Sequence, residues 1–260
     1  MDRTFWYKQT LGDPLFPDLS WSRPENKAHA GKLLVIGGNS FGFAAVGEAY
    51  EQATRAGVGT IRVLLPNALQ KFAGMLPNGE FAPSTPSGSF GQKSLADWLE
   101  HSTWADGVLI AGDLARNSET AIVLEKFLHK YQGMVTLTKD TVDYVTASPK
   151  IIQDRPDTLL ILSFAQLQKL GGSLKFETAF THDMDLLRLV DALHEFTTRY
   201  GVLIVTKQSD TLYIAVEGQV STTPDDREFW RVKTAAGAST WWLQNPEKPF
   251  EAITSSVAHL

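Results

Sequence analysis

The chain has 260 residues, of which 43% are apolar and 20% are charged, and its formal net charge is −5 at pH 7. This length is sufficient for the buried core of one α/β domain without disulfides or metals. Lys and Arg do not cluster along the sequence, which disfavours nucleic acid or an anionic membrane surface as a partner.

The sequence contains no cysteine, which excludes disulfides, thiol catalysis and cysteine-ligated zinc and fits a reducing compartment. Its N-terminal segment lacks the basic and apolar regions of a signal peptide. No apolar run approaches the roughly 20 residues that a membrane-spanning helix needs. We therefore expect a cytoplasmic protein whose partners include neither a membrane nor nucleic acid.

Residues 1–28 form an arm that is rich in aromatic residues and proline. We expect this arm to pack either on the body of its own chain or on a neighbouring subunit. Residues 29–260 show no internal repeat and no boundary, so we predict that they form a single domain.

Strand-like and helix-like segments alternate along residues 29–260. The run 33–37 predicts a buried strand, and small residues recur on one face of the helix predicted over 44–56. A stretch rich in Pro, Gly and Ser, 76–91, predicts an exposed loop. Further strands are predicted at 60–66, 107–112, 134–138, 158–162, 202–206, 211–216 and 219–223, and further helices at 67–75, 118–131, 183–200, 232–243 and 247–258.

The predicted strands are apolar throughout rather than alternating between apolar and polar residues. Strands of this kind are buried on both faces, as in a parallel sheet between two layers of helices. The last two strands are joined by Glu217 and Gly218, which is typical of a hairpin. We predict an α/β fold, a three-layer α/β/α sandwich with a mostly parallel central sheet and an antiparallel hairpin at one edge.

The segment KLLVIGGNSFGFAAVG at 32–47 passes from a strand through a glycine turn into a helix. A dinucleotide-binding loop would need glycine where Asn39 stands. Gly37 and Gly42 have the spacing of a P-loop, but Phe43 and Ala44 replace its Lys and Ser/Thr. The segment is therefore neither of these phosphate-binding loops.

Other motifs give few candidates for chemistry. The sequence has no H-E-x-x-H metal motif and no G-x-S-x-G nucleophile. Polar residues at 118–120 and the acidic group at 181–185 are predicted to cap helices, and no metal ligand is predicted. The small residues at 235–239 open the helix predicted over 232–243. Its first amides bind an anion in one interpretation, and the small side chains simply pack under the sheet in the other.

Several motifs together resemble the ribokinase-like superfamily, and most of all its ADP/ATP-dependent NAD(P)H-hydrate dehydratases. That family carries H-K-G-x-x-G, V-I-G-G-S, Y-x-G-A and R-A-G-A-G in this order. This chain has HAGK at 29–32, VIGGN at 35–39, GFAA at 42–45 and RAGVG at 55–59, without a gap. Weaker matches at 111–120, 202–220 and 249–260 extend the resemblance over 29–260.

The resemblance implies a cleft with a substrate side and a nucleotide side. It places Gly37, Gly38, Asn39 and Gly42 on the substrate side. It places Lys207, Thr234, Gly237 and Ser239 on the nucleotide side. It also implies ADP or ATP as the cofactor, an NAD(P)H-derived small molecule as the other ligand, and a homo-oligomer.

This chain departs from the family at the positions that carry chemistry. The family's G-T-G-D motif falls on residues ending at Ser239, and a serine hydroxyl does not replace a carboxylate as a general base. The T-P-H-P-G-E segment is replaced by LSFAQLQKL at 162–170. The G-P-G-L-G turn becomes AGDLA at 111–115, and only Asp140 is kept from the D-A-D segment. No catalytic residue is therefore assigned.

These departures leave three hypotheses. The first is a catalytically impaired relative of the dehydratases with a binding, regulatory or assembly role. The second is an active ADP/ATP-dependent NAD(P)H-hydrate dehydratase in which Asp113, Asp140 or Asp210 replaces the missing acid. The third is a small-molecule kinase of the same superfamily, which also requires a catalytic aspartate.

Overall fold

The computed structural model describes residues 3–75, 77–153 and 155–259. Its strands are β1 (Trp6–Lys8), β2 (Lys32–Gly37), β3 (Thr60–Pro66), β4 (Gly79–Ala82), β5 (Gly107–Gly112), β6 (Met134–Thr138), β7 (Thr158–Ser163), β8 (Leu203–Gln208), β9 (Thr211–Val216) and β10 (Gln219–Pro224). Its α-helices are α1 (Pro17–Trp21), α2 (Ala44–Arg55), α3 (Leu95–Trp104), α4 (Ser118–Lys130), α5 (Asp140–Ala147), α6 (Lys150–Gln153), α7 (Phe164–Ser173), α8 (Leu186–Tyr200), α9 (Arg231–Gln244) and α10 (Pro249–Ala258). Short 3-10 helices lie at Lys27–His29, Asn67–Met75 and Gln92–Ser94.

These strands form one sheet in the order β1-β10-β9-β8-β7-β6-β5-β2-β3-β4. The strands from β8 to β4 in this order are parallel, and β9 runs antiparallel to both β8 and β10. The predicted mostly parallel sheet with an antiparallel hairpin is therefore confirmed. The hairpin is not at the edge, however, because β1 from the N-terminal arm pairs in parallel outside β10.

Helices cover both faces of the sheet, which confirms the three-layer sandwich. Along β2, Leu34 and Ile36 pack into the layer that contains α3, α4, α5, α7 and α8. Leu33 and Val35 pack on the opposite side, with α2, α9 and α10. All four side chains are fully buried. The strand is apolar on both faces because each face is covered by a layer of helices.

The local signals at helix ends are mostly confirmed. The Asp185 side chain accepts a hydrogen bond from the Arg188 amide at 2.8 Å, so 181–185 caps α8 as predicted. Gly201 ends that helix in the left-handed conformation, with φ of 64°. At α4 the predicted cap is wrong by one residue, because Asn117 accepts from the Glu119 and Thr120 amides.

The segment 76–91 was predicted as an exposed loop, and this prediction is wrong. Strand β4 pairs with β3 inside the segment, and Ala82 and Phe90 are fully buried. The Phe90 ring packs edge-on against Trp98 of α3. Pro86, Ser87 and Gly88 lie in the turn between β4 and Phe90. The buried apolar residues anchor the segment to the core.

The described part of the arm packs on its own chain. Besides β1, the arm contributes α1, which packs against α10. The Gln9 side chain is 1% exposed and donates to the Thr223 hydroxyl at 3.1 Å and to the Thr254 carbonyl at 2.8 Å. Of the two predicted packing modes, the described residues adopt the intramolecular one, while the independence of 29–260 as a domain stays a prediction.

Candidate functional site

The predicted substrate-side residues lie at the carboxyl edge of the parallel strands, where open α/β sheets bind their ligands. Gly37, Gly38, Asn39 and Gly42 end β2 or follow it. Three other features follow neighbouring strands at the same edge: Asp113 after β5, Asp140 after β6, and Lys207 with Asp210 at the end of β8. The fold therefore brings the glycine loop, the three candidate acids and the candidate lysine to one edge.

The start of α2 is occupied by a carboxylate of the chain itself. The Ala45 amide, in the first turn of α2, donates to Asp113 Oδ2 at 2.9 Å. Asn39 Nδ2 donates to the Asp113 carbonyl at 2.5 Å, and the Lys139 ammonium forms an ion pair with Asp113 Oδ1. A helix start binds anions through its unpaired amides, and here Asp113 fills that position.

The glycine loop is held rigidly around this carboxylate. Asn39 and Gly42 exchange two backbone hydrogen bonds of 3.0 Å, and the Phe41 amide donates to Asn39 Oδ1 at 2.7 Å. Gly38 has a φ of 89°, a conformation that glycine adopts at no steric cost. The turn presents the Phe41 ring to solvent, with 90% of the residue exposed.

Unusual backbone conformations cluster at the ends of β5 and β6. Asp113 and Ala115 both have φ of 57°, and Lys139 combines φ of 55° with ψ of −129°. In turns, the combination of φ and ψ at Lys139 is normally adopted by glycine. A residue other than glycine in such a conformation costs about 1–3 kcal/mol of folding free energy. Such strain is typical of functional sites, where the surrounding structure holds it in place.

Asp140 is the acid at this edge with spare bonding capacity. Its Oδ2 accepts from the Leu114 amide at 2.8 Å, and its Oδ1 is buried without a hydrogen-bond partner among the described residues. Burial, with a smaller contribution from Asp113, raises the pKa of the Asp140 carboxyl above its ordinary value. A carboxyl group of this kind can exchange a proton nearer to neutral pH than an exposed aspartate can.

Lys207 is held by the chain's own loop between β10 and α9. Its ammonium donates to the Arg227 carbonyl at 2.7 Å and lies 3.7 Å from Asp225 Oδ2. Asp225 also accepts from Arg227 Nε at 2.6 Å. Burial opposes the charge on Asp225, but Arg227 and Lys207 outweigh burial and lower the pKa of this carboxyl. Lys207 thus shares the Asp225 carboxylate with Arg227.

An open cavity of about 400 Å³ lies beside Lys207. Three acidic residues contribute to its lining, Asp210, Asp226 and Glu228, together with the ring of Trp230. A nucleotide polyphosphate in this cavity would face these three carboxylates as well as Lys207 and Arg227, so the excess of acidic groups opposes an unaccompanied polyphosphate.

The predicted free amides at 235–239 are not free, which corrects the expectation that this run opens a helix. Helix α9 begins at Arg231, so these residues lie in its interior. Ser239 is 5% exposed, and its hydroxyl donates to the Ala235 carbonyl at 2.7 Å and lies 2.8 Å from the Thr136 hydroxyl, with which it also forms a hydrogen bond. The space beside it measures about 10 Å³, too small for a ligand.

The small residues serve instead to pack α9 closely on its neighbours. Ala235, Ala236 and Ala238 are fully buried, and the helix contacts α2, β5 and β6. Thr234, Gly237 and Ser239 are all buried in this helix, and the Ser239 hydroxyl contacts Thr136 of β6. Their assignment to nucleotide binding stays a prediction that this packing does not favour.

Two residues that sequence reasoning missed connect the strand ends. Gln166 Nε2 donates to the Lys139 carbonyl at 2.8 Å, and Arg231 Nη1 donates to Gln166 Oε1 at 3.3 Å. Gln166 also forms a capping box with Ser163 at the start of α7. The pattern Ser-x-x-Gln before an apolar run was the available signal, and it lies where the family's T-P-H-P-G-E segment would stand.

Across the described ranges, no helix is long and apolar enough to cross a membrane. In the same part of the chain, no three His, Asp or Glu side chains come together as metal ligands.

Neither models of protein families nor curated proteins match the chain, whereas solved structures do. A ribokinase-like superfamily protein from Enterococcus faecalis superposes with a TM-score of 0.73 at 14% identity, covering 99% of this chain and 87% of that one. A hypothetical protein from Streptococcus mutans gives 0.67 at 17% identity, covering 90% and 82%. An ADP/ATP-dependent NAD(P)H-hydrate dehydratase from Bacillus subtilis, co-crystallised with ATP and Mg²⁺, gives 0.62 at 14% identity, covering 94% and 86%. This chain has the ribokinase-like fold.

Proposed function

We propose that this chain is a catalytically impaired relative of the NAD(P)H-hydrate dehydratases that has kept a small-molecule binding role. One observation carries the proposal: the first turn of α9 contains Arg231, Val232 and Lys233 and no acidic residue. A positioned acid or base typically contributes about 10²–10⁴ in rate. Without a carboxylate at this helix start, the chemistry that the resemblance implies has no base there.

Two further contacts support impairment. Asp113 occupies the start of α2, and Lys207 donates to the Arg227 carbonyl and lies beside Asp225. The helix start and the lysine that would meet a phosphate are thus already bonded within the chain. The adenine nucleotide and the homo-oligomer that the resemblance implies belong to this proposal as expectations.

The direct test is a dehydration assay with hydrated NADH and either ADP or ATP. The Bacillus subtilis dehydratase serves as the positive control at equal protein concentration. We expect no rate above the uncatalysed background from this chain. A clear nucleotide-dependent rate would contradict the proposal.

Binding is tested separately by thermal shift with ADP and with ATP and Mg²⁺. A ligand at about 100 times its dissociation constant adds about 2.7 kcal/mol to the free energy of unfolding. A shift without turnover supports a binding role. If neither nucleotide shifts the transition, adenine nucleotide drops out as the ligand. Light scattering gives the oligomeric state.

The state of Asp140 favours an active dehydratase as the second candidate function. The raised pKa of this carboxyl and its unpartnered Oδ1 are properties of a group that transfers protons. If the assay shows turnover, Asp140→Asn should lower kcat by about 10²–10⁴. Asp143→Asn, an exposed position on the same helix, should leave it unchanged.

A further inference from the structure

A groove of about 700 Å³ lies between α5 and α7, and of the edge residues described above only Asp140 lines it. The loop after β5 and helix α5 form one wall, and α7 forms the other. The volume falls in the range of small-molecule sites, roughly 300–1,000 Å³.

Two cationic side chains face this groove from opposite walls. Arg116 follows β5 and Lys169 lies on α7, and both line the groove. Neither has an ion-pair partner within 4 Å among the residues that the structure describes. A guanidinium and an ammonium across one groove fit a phosphate or carboxylate group between them.

The acidic residues of the groove oppose an anion only weakly. The Leu114 amide already donates to Asp140 Oδ2, and burial raises the pKa of this carboxyl above its ordinary value. Asp143 lies in the first turn of α5, where the positive end of the helix dipole partly balances it. The lining thus holds two cations and two carboxylates, and an anion between Arg116 and Lys169 would meet a cation from each wall.

Between the cations the groove has an aromatic and small-residue surface. The Tyr144 hydroxyl donates to the Ala115 carbonyl and accepts from the Asn117 amide at 3.1 Å, so its ring is fixed in place. On the other wall Gly172 faces open space, with no atom within 4 Å of the position that a Cβ would take. A fixed ring opposite a glycine leaves room for a planar group.

We infer that the groove between α5 and α7 binds a small aromatic acid, with its phosphate or carboxylate between Arg116 and Lys169 and its ring against Tyr144. This site goes beyond the proposed function, because it is separate from Lys207 and from the start of α9. Its occupancy does not depend on whether dehydration chemistry is retained.

The test is an NMR titration of the ¹⁵N-labelled protein with phenyl phosphate, benzoate and benzyl alcohol. We expect shifts in α5 and α7 with one or both anions, and binding of the uncharged alcohol at least tenfold weaker. Arg116→Ala and Lys169→Ala should each weaken binding of the better anion about threefold to tenfold. Gly172→Trp fills the groove and should abolish binding.

Lys126→Ala removes an exposed cation of α4 outside the groove, and its affinity should match that of the unchanged protein. The inference is wrong if neither anion binds at millimolar concentration, or if Arg116→Ala, Lys169→Ala and Gly172→Trp all bind as the unchanged protein does. It is also wrong if Gly172→Trp dissociates an oligomer, since the groove is then a subunit contact. The alanine variants keep the test valid if Gly172→Trp does not fold.

Discussion

Asp113 and Asp140 follow neighbouring strands, and their surroundings give them different chemistry. The Asp113 carboxylate accepts from a helix amide and pairs with Lys139, so it serves structure. Asp140 has one oxygen bonded to the Leu114 amide and the other buried without a described partner. Of the candidate acids after β5 and β6, the contacts thus leave only Asp140 available for proton transfer or binding.

The raised pKa of Asp140 predicts how stability depends on pH. The folded state binds the proton of the Asp140 carboxyl more tightly than the unfolded state does, so protonation stabilises the fold. This stabilisation is complete below the ordinary aspartate pKa, and it is lost as the pH rises through the pKa of Asp140 in the folded state. Relative to Asp140→Asn, the unchanged protein should therefore gain free energy of unfolding as pH falls from neutral toward about 4. Urea unfolding at several pH values measures this difference. Parallel curves for the two proteins would show that the folded and unfolded pKa values are equal.

At the scale of elements, the position of α9 determines the role of the small residues at 235–239. The helix begins at Arg231, four residues before the run, and lays its small face on β5, β6 and α2. Small side chains at a helix start would open an anion site, whereas in a helix interior they permit close packing. The same small residues can bind an anion or pack closely, and the position at which the helix begins determines which of the two they do.

Ser239→Asp tests this placement, because it restores the aspartate that the family motif would have at this position. In the packed interior of α9 the new carboxylate is buried among apolar neighbours, and we expect a loss of about 3–5 kcal/mol in the free energy of unfolding. Ser239→Ala removes only the hydroxyl and should cost about 1 kcal/mol. Unfolding in urea measures both. A stable Ser239→Asp protein with new dehydratase activity would mean that 234–239 is the motif after all.

At the scale of the whole molecule, the arm completes the sheet. Strand β1 covers the outer side of β10, which would otherwise leave an unpaired strand edge. Gln9 then ties the arm to β10 and α10 through buried hydrogen bonds. The arm is thus part of the sandwich rather than an appendage on its surface.

Gln9→Ala should therefore destabilise the whole fold. The change leaves buried polar groups of Thr223 and Thr254 without this partner, and we expect a loss of about 2 kcal/mol in the free energy of unfolding. Gln132→Ala, at an exposed position, should change stability by less than about 0.5 kcal/mol. Thermal and urea unfolding compare the two variants. Equal, small effects would show that the arm docks without stabilising the body.

Much of the fold could be predicted because its signals are local. The apolar runs of β2 and β5, the alanine face of α2 and the cap at Asp185 each depend on residues a few positions apart. The candidate site could be predicted only in part. The glycine loop and Lys207 were candidates from the sequence and lie at one edge of the sheet, and their binding roles stay predictions. Gln166 and Arg231 became visible only as contacts between strand ends.

Of the elements that the structure describes, the sequence by itself predicted every strand except β1 and β4, and the helices α2, α4, α8, α9 and α10. It also predicted the mostly parallel sheet, whose carboxyl edge is the place for a ligand. Only the tertiary structure decided that the start of α2 already holds an anion, because Ala45 and Asp113 are 68 positions apart and meet only across the sheet. It likewise decided that Asp225 lies beside Lys207 and that Ser239 is buried within α9, where its hydroxyl contacts Thr136 of β6. Local patterns set which groups a segment offers, and long-range packing sets which of those groups remain free to bind.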